Sequence, residues 1–183
     1  VIFAVAAGVA ALVLLPLAEA TAVIQFNTQG ILGELTFVPD GLGTLLAAVA
    51  TVIGSLAVIF SVSYMKGHAQ LRRYYVLVLL FIGAMAGLVL TGSLLLLFIF
   101  WEITALCSYA LIAFDNDNPA AVHGGIKALI ITQLGGIGLL LLALVALTQL
   151  GSYDLAHFIA WSPTLPTAVL ALLAFSTLAA AAA

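Results

Sequence analysis

Charge is what this chain has least of. Four Lys/Arg and seven Asp/Glu stand among 183 residues, 6% of the total, against about 25% in soluble domains. That scarcity excludes a water-soluble globule, whose surface must be covered by polar groups this sequence does not possess. A net charge of −3 is too small to steer a partner, and no basic patch of the kind that binds nucleic acid is present. The lone cysteine, Cys107, excludes an internal disulfide, and its apolar surroundings lack the positive charge that activates a thiol. Metal-ligand spacing, a Gly-rich phosphate loop and a nucleophile beside a base are missing too. No metal, no cofactor and no catalytic centre of an enzyme are therefore expected. An initiator methionine is also absent. The chain opens inside an apolar run and closes on "TLAAAAA", so it reads as a stretch of a longer polypeptide. Val1 to Leu15, with no basic residue before it, reads as part of a span rather than as a signal peptide.

What fills the sequence is hydrocarbon: 66% of its residues are hydrophobic. A bilayer core of about 30 Å takes about 20 apolar residues per helix, and about six such segments fit here. The expected fold is an all-α, polytopic bundle, a single transmembrane region over 1–183. Its spans are Val1 to about Gln25, about Asp40 to Met65, two within Tyr74 to Phe114, about Ala120 to Leu147, and Pro163 onward. "TGS", Thr91 to Ser93, is the only turn signal inside the third and fourth spans. Pro163 and Pro166 suit a helix start. The stretch "FNTQGILGELTFVPDG" between the first two spans has turn residues around an alternating run, the pattern of a small hairpin outside the bilayer.

Three of the four basic residues, Lys66, Arg72 and Arg73, fall in one short loop. Cytoplasmic loops hold the excess of Lys and Arg, so loop 66–73 is expected in the cytoplasm of a cell-membrane protein. Alternation then places "DNDNPAAVH" on the same side, and the Gly92 turn and "GSYDLAHFIAWSP" on the other.

Small residues allow the close helix approach on which packing in lipid depends. Gly83 and Gly87 form a GxxxG, and Gly124, Ala128, Gly135 and Gly138 share an arc of the fifth span. Against this apolar background two ionisable groups stand out. Glu102 lies near the middle of "LLLLFIFWEITALCSYALIAF", where a charge costs about 2.5–3.5 kcal/mol on the lenient insertion scale. Desolvation and any neighbouring cation pull a carboxyl in opposite directions, which is what a proton-exchanging group requires. The plainer reading is a helix-to-helix hydrogen bond, through Tyr109 seven residues on. Lys127 lies inside the fifth span. It either snorkels to the headgroups or belongs to a proton path, with Thr132 and Gln133 as polar footholds. His68 and His123, at the expected cytoplasmic edges, are either proton-uptake groups or solvated loop histidines.

Four stretches in order, "PDGLGTLL", "FSVSYM", "LFIFWEITALCSYALIAF" and "GGIKALIITQLGG", resemble the proton-conducting antiporter-like subunits. That family includes the large antiporter-like subunit of respiratory complex I and the A subunit of Mrp-type multisubunit Na+/H+ antiporters. The resemblance implies a fragment of an inverted-repeat fold working with other membrane subunits of one complex, moving protons and exchanging them for Na+. It implies that Glu102 is the family's buried glutamate and Lys127 a lysine of the mid-membrane polar axis. The glutamate's partner lysine is expected just beyond Ala183. Complex I members commonly read Thr-Arg-Val-Gly-Asp where this chain has "TQLGG", Thr132 to Gly136. That Gly-Gly form, with "FWEIT", resembles the Mrp type. Gly92 and Ser93 replace an Asp-Asn pair frequent in the family, which weighs against ion handling at that end. The alternatives are a proton-pumping subunit of complex I or of a related membrane-bound hydrogenase, and a purely structural bundle.

Overall fold

The computed structural model describes residues 2–14, 23–27, 34–68 and 70–182. The chain runs α1 (Ile2–Leu14), β1 (Ile24–Asn27), β2 (Glu34–Phe37), α2 (Gly41–Tyr64), α3 (Leu71–Leu90), α4 (Leu94–Ile112), α5 (Pro119–Leu150), α6 (Leu155–Trp161), a 3-10 turn (Ser162–Thr164) and α7 (Thr167–Ala182). It is an all-α membrane fold apart from one antiparallel hairpin, in which Ile24 pairs with Phe37 and Asn27 with Glu34.

Of the six expected spans, four helices, α2 to α5, are long and apolar enough to cross a bilayer. The other two are shorter among the described residues: α1 has 13 residues and α7 has 16. The first span does not reach Gln25, which lies in β1; Pro16 and Glu19 lie outside the described residues. The "GSYDLAHFIAWSP" segment is not a plain loop. It carries α6, whose first turn is held by Asp154, the carboxylate accepting from the His157 amide at 2.8 Å. The last helix begins at Thr167 rather than Pro163, because Pro163 is taken up in the 3-10 turn.

Local chemistry sets the remaining ends. Asp40 caps α2 by accepting from the Gly43 amide at 2.6 Å, and Asn118 caps α5 with Pro119 in its first turn, a position where a missing N–H costs nothing. α5 stops at Gly151, whose left-handed backbone (φ 66°) returns its N–H to the Leu147 carbonyl, a glycine's role at a helix C-terminus.

The two ends of the bundle differ. At one end the turn 91–93 is laid between the hairpin and the segment after α5. The Gly92 amide donates to Thr36 O, and the Val38, Leu94 and Leu155 amides donate to Leu90, Tyr153 and Gly92 carbonyls, each at 2.8 Å. Thr91, Gly92, Ser93 and Leu94 are all buried. Non-helical backbone needs such mutual partners wherever water is scarce. At the other end Arg73 sits over the Phe114 ring, 5.5 Å from its centroid, and its Nη1 donates to the Gln70 side-chain oxygen at 3.0 Å. Loops 65–70 and 113–118 thus share one end, and the hairpin, the 91–93 turn and residues 151–154 share the opposite one.

Two apolar cores hold the helices. Ala4, Val58, Val78 and Ile82 join α1, α2 and α3. Leu94, Leu142, Ala143, Ala146, Tyr153, Phe158 and Leu173 join α4 to α7. Of the GxxxG pair, Gly87 lies directly under the Phe100 ring of α4, where an added β-carbon would meet Cζ at 2.5 Å, whereas Gly83 faces open space.

Candidate functional site

α4 packs along α5, and Glu102 lies in that seam. Its neighbour Trp101 donates from Nε1 to the Thr132 carbonyl at 3.4 Å, which fixes the register of the two helices at this level. The Glu102 Oε1 atom is buried and has no hydrogen-bond partner among the described residues. It points at Gly136 of α5, so close that a β-carbon there would collide with it and lie 3.5 Å from Trp101 Cδ1. A buried polar atom without a partner is uncommon in folded proteins and marks a site of strain or chemistry.

Tyr109 is not the partner of that oxygen. One helical repeat further along, its ring and backbone press on Gly125 of α5, at 3.2 Å from the position a β-carbon would take. The tyrosine therefore packs the seam, two turns from the acid.

Lys127 lies on α5 but away from this seam. It is exposed, among the exposed apolar residues Ile126, Ile130, Ile131 and Leu134. Gly136, where Glu102 docks, is nine residues on: about 13.5 Å along the axis and two and a half turns round it. The lysine thus leaves α5 on the face opposite the acid, and no ion pair joins the two among the described residues. Of the small-residue arc, Gly135 and Gly138 are buried, while Gly124 and Ala128 are half-buried.

The polar footholds divide. The Thr132 hydroxyl is spent on its own helix, donating to the Ala128 and Leu129 carbonyls at 3.0 Å. Gln133 is half-buried. His68 and His123 are both exposed, at the end that carries loops 65–70 and 113–118. There His68 lines a cavity of about 380 Å³ with Gln70, Phe114, Asp115, Asn116 and Asp117, so one histidine and two loop carboxylates open on the same space. Sequence reasoning missed Gly136 and Trp101 as parts of the site. Their signals were the tryptophan directly before the acid and the second glycine of "TQLGG".

Comparison with known proteins places these elements. Residues 91–183 match the family described as "NADH:quinone oxidoreductase/Mrp antiporter, TM", and residues 26–75 match the family described as "NADH-Ubiquinone oxidoreductase (complex I), chain 5 N-terminus". Over 101 residues, 55% of this chain, it is 45% identical to the Na(+)/H(+) antiporter subunit A1 of Staphylococcus haemolyticus and 44% identical to that of Staphylococcus aureus. The match spans 13% of the length of each relative. The solved structure of the Mrp complex from Dietzia sp. DQ12-45-1b superposes on 97% of this chain and 20% of that one, with TM-score 0.86 and 28% identity. A membrane-bound sulfane sulfur reductase, an archaeal respiratory membrane complex, shares the fold over 98% of this chain and 28% of that one, at TM-score 0.74 and 21% identity. With more than half its length matched by the first of these family patterns, the chain belongs to the NADH:quinone oxidoreductase/Mrp antiporter transmembrane family.

Proposed function

We propose that this chain forms part of a membrane subunit of a multisubunit Na+/H+ antiporter, in which Glu102 takes up and releases the proton. The observation that carries the reading is the buried, unpartnered Oε1 of Glu102 at the middle of a membrane-spanning helix. An acid at mid-span is too costly to keep without a role, and this one has no donor on Oε1 among the described residues. The names of the relatives, and 28% identity to an Mrp complex over nearly the whole chain, favour Na+ exchange over quinone-linked pumping.

Lys127 serves in this reading as a separate proton station. It faces away from Glu102, so the groups that influence it directly come from beyond α4, on other helices or other subunits. His68, on the same cavity as Asp115 and Asp117, collects protons from water at one end. That end is cytoplasmic, since it carries Lys66, Arg72 and Arg73, and the complex resides in the cell membrane.

The test is Glu102→Gln in the assembled complex, which preserves shape and removes the titratable group. Na+-driven proton movement in membrane vesicles is expected to fall by about 100-fold, at the low end of what a general acid–base group contributes. Wild-type exchange by a normally assembled variant would overturn the proton role. A structural bundle, the rival reading, predicts the reverse pattern: normal transport per complex and reduced assembly.

A further inference from the structure

We propose that Gly136 is a positioning residue for Glu102: its missing side chain is the seat into which the carboxyl fits, and it sets where in the membrane the proton is held. The inference rests on the proton role of Glu102 given above.

Three observations carry it. The Gly136 backbone is helical and has no positive φ, so conformational freedom does not call for glycine there. Alanine is the better helix former. The position is fully buried between α4 and α5. What a β-carbon would meet first is not a backbone or a packed ring but Glu102 Oε1, with Glu102 Cδ and Trp101 Cδ1 next at 3.5 Å. The space left by the absent methyl is occupied by the one carboxylate of this seam.

The direction of the contact matters. A β-carbon would replace the Gly136 Cα hydrogen that points at Oε1, so the acid rests on a Cα–H donor, a weak partner. Such a contact orients an oxygen without holding its charge as an N–H would. The carboxyl is thereby placed reproducibly. Because the obstructing atom is the tip of a flexible side chain, Gly136→Ala is expected to move the carboxyl while sparing the helix packing.

The experiment is a double-mutant cycle in the assembled complex, read as Na+-driven proton movement across vesicles at several pH values. Gly136→Ala is expected to slow exchange by at least about tenfold and to displace its pH profile, since misplacing a reacting group by about 1 Å can cost about 100-fold. In a Glu102→Asp background, where the shorter side chain no longer reaches the seat, the same alanine is expected to have no further effect. Gly83→Ala, facing open space, serves as the control. Equal losses from Gly136→Ala in both backgrounds, or wild-type rate and pH profile in the single variant, would overturn the inference while leaving Glu102→Gln to judge the proton role separately. If Gly136→Ala alone fails to assemble, recovery of assembly in the Glu102→Asp/Gly136→Ala pair supports the seat. Failure of both variants to assemble assigns the glycine to packing and overturns it.

Discussion

Lys127 and Gly136 stand two and a half turns apart on α5, so the lysine leaves the helix on the face opposite the one where Glu102 docks. α5 thus separates Glu102 from Lys127. A proton moving between them must pass around α5 or along groups supplied from outside the described chain.

That separation sharpens what Lys127 should do. If it is a proton station, Lys127→Ala is expected to slow Na+-driven proton movement by about 10- to 100-fold. Lys127→Arg is expected to be as slow, because a guanidinium keeps its proton. Near-normal exchange in Lys127→Arg, at matched amounts of complex, would mark the residue as a snorkelling anchor.

The packing of α3 on α4 makes a second expectation. Gly87 lies under the Phe100 ring and Gly83 under nothing. Gly87→Val should therefore destabilise the subunit by about 1–3 kcal/mol through overpacking, and Gly83→Val should not do so by this route. Thermal melting of the detergent-solubilised complex distinguishes the two variants, and equal melting points would contradict the arrangement.

The two ends of the bundle can be told apart by labelling. Loops 65–70 and 113–118 lie together and α6 lies at the other end, so His68→Cys and Asn116→Cys should react with an impermeant maleimide from the same side of the membrane. His157→Cys should react only from the opposite side. The native Cys107, 2% exposed, should stay unlabelled in folded protein. Labelling of all three variants from one side would break the topology.

α6 depends on its cap. It has only seven residues, and Asp154 supplies the side-chain acceptor for its first turn. Asp154→Ala is expected to cost about 1 kcal/mol, whereas Asn, which caps comparably, should preserve stability. Equal melting of the Ala, Asn and wild-type proteins would mean that α6 is held by Phe158 and the core beneath it alone.

Much of this was legible without a structure because a bilayer makes simple demands. Scarce charge and long apolar runs called for membrane helices, "TGS" marked the break between α3 and α4, and the turn residues of "FNTQGILGELTFVPDG" marked the hairpin. An acid at mid-span drew attention to Glu102 because its burial cost is large and local. Two bounds, the end of the first span at Gln25 and the start of the last at Pro163, were misplaced. Hydropathy cannot register where a strand takes over, as at Gln25, or where a 3-10 turn consumes a proline, as at Pro163.

Composition and order along the chain determined that this is a membrane protein, the four long helices α2 to α5 and the acid within one of them, since each follows from the cost of placing particular groups in hydrocarbon. Only the tertiary structure decided what that residue faces. Two helices with the same sequences could meet in several rotations, and the pairing of Glu102 with Gly136, rather than with Lys127 or Tyr109, depends on the angle at which α4 and α5 lie together. The long-range fit of Trp101 on the Thr132 carbonyl and of Gly125 under Tyr109 sets that angle. Each is a contact between different helices, so none could be read along the chain.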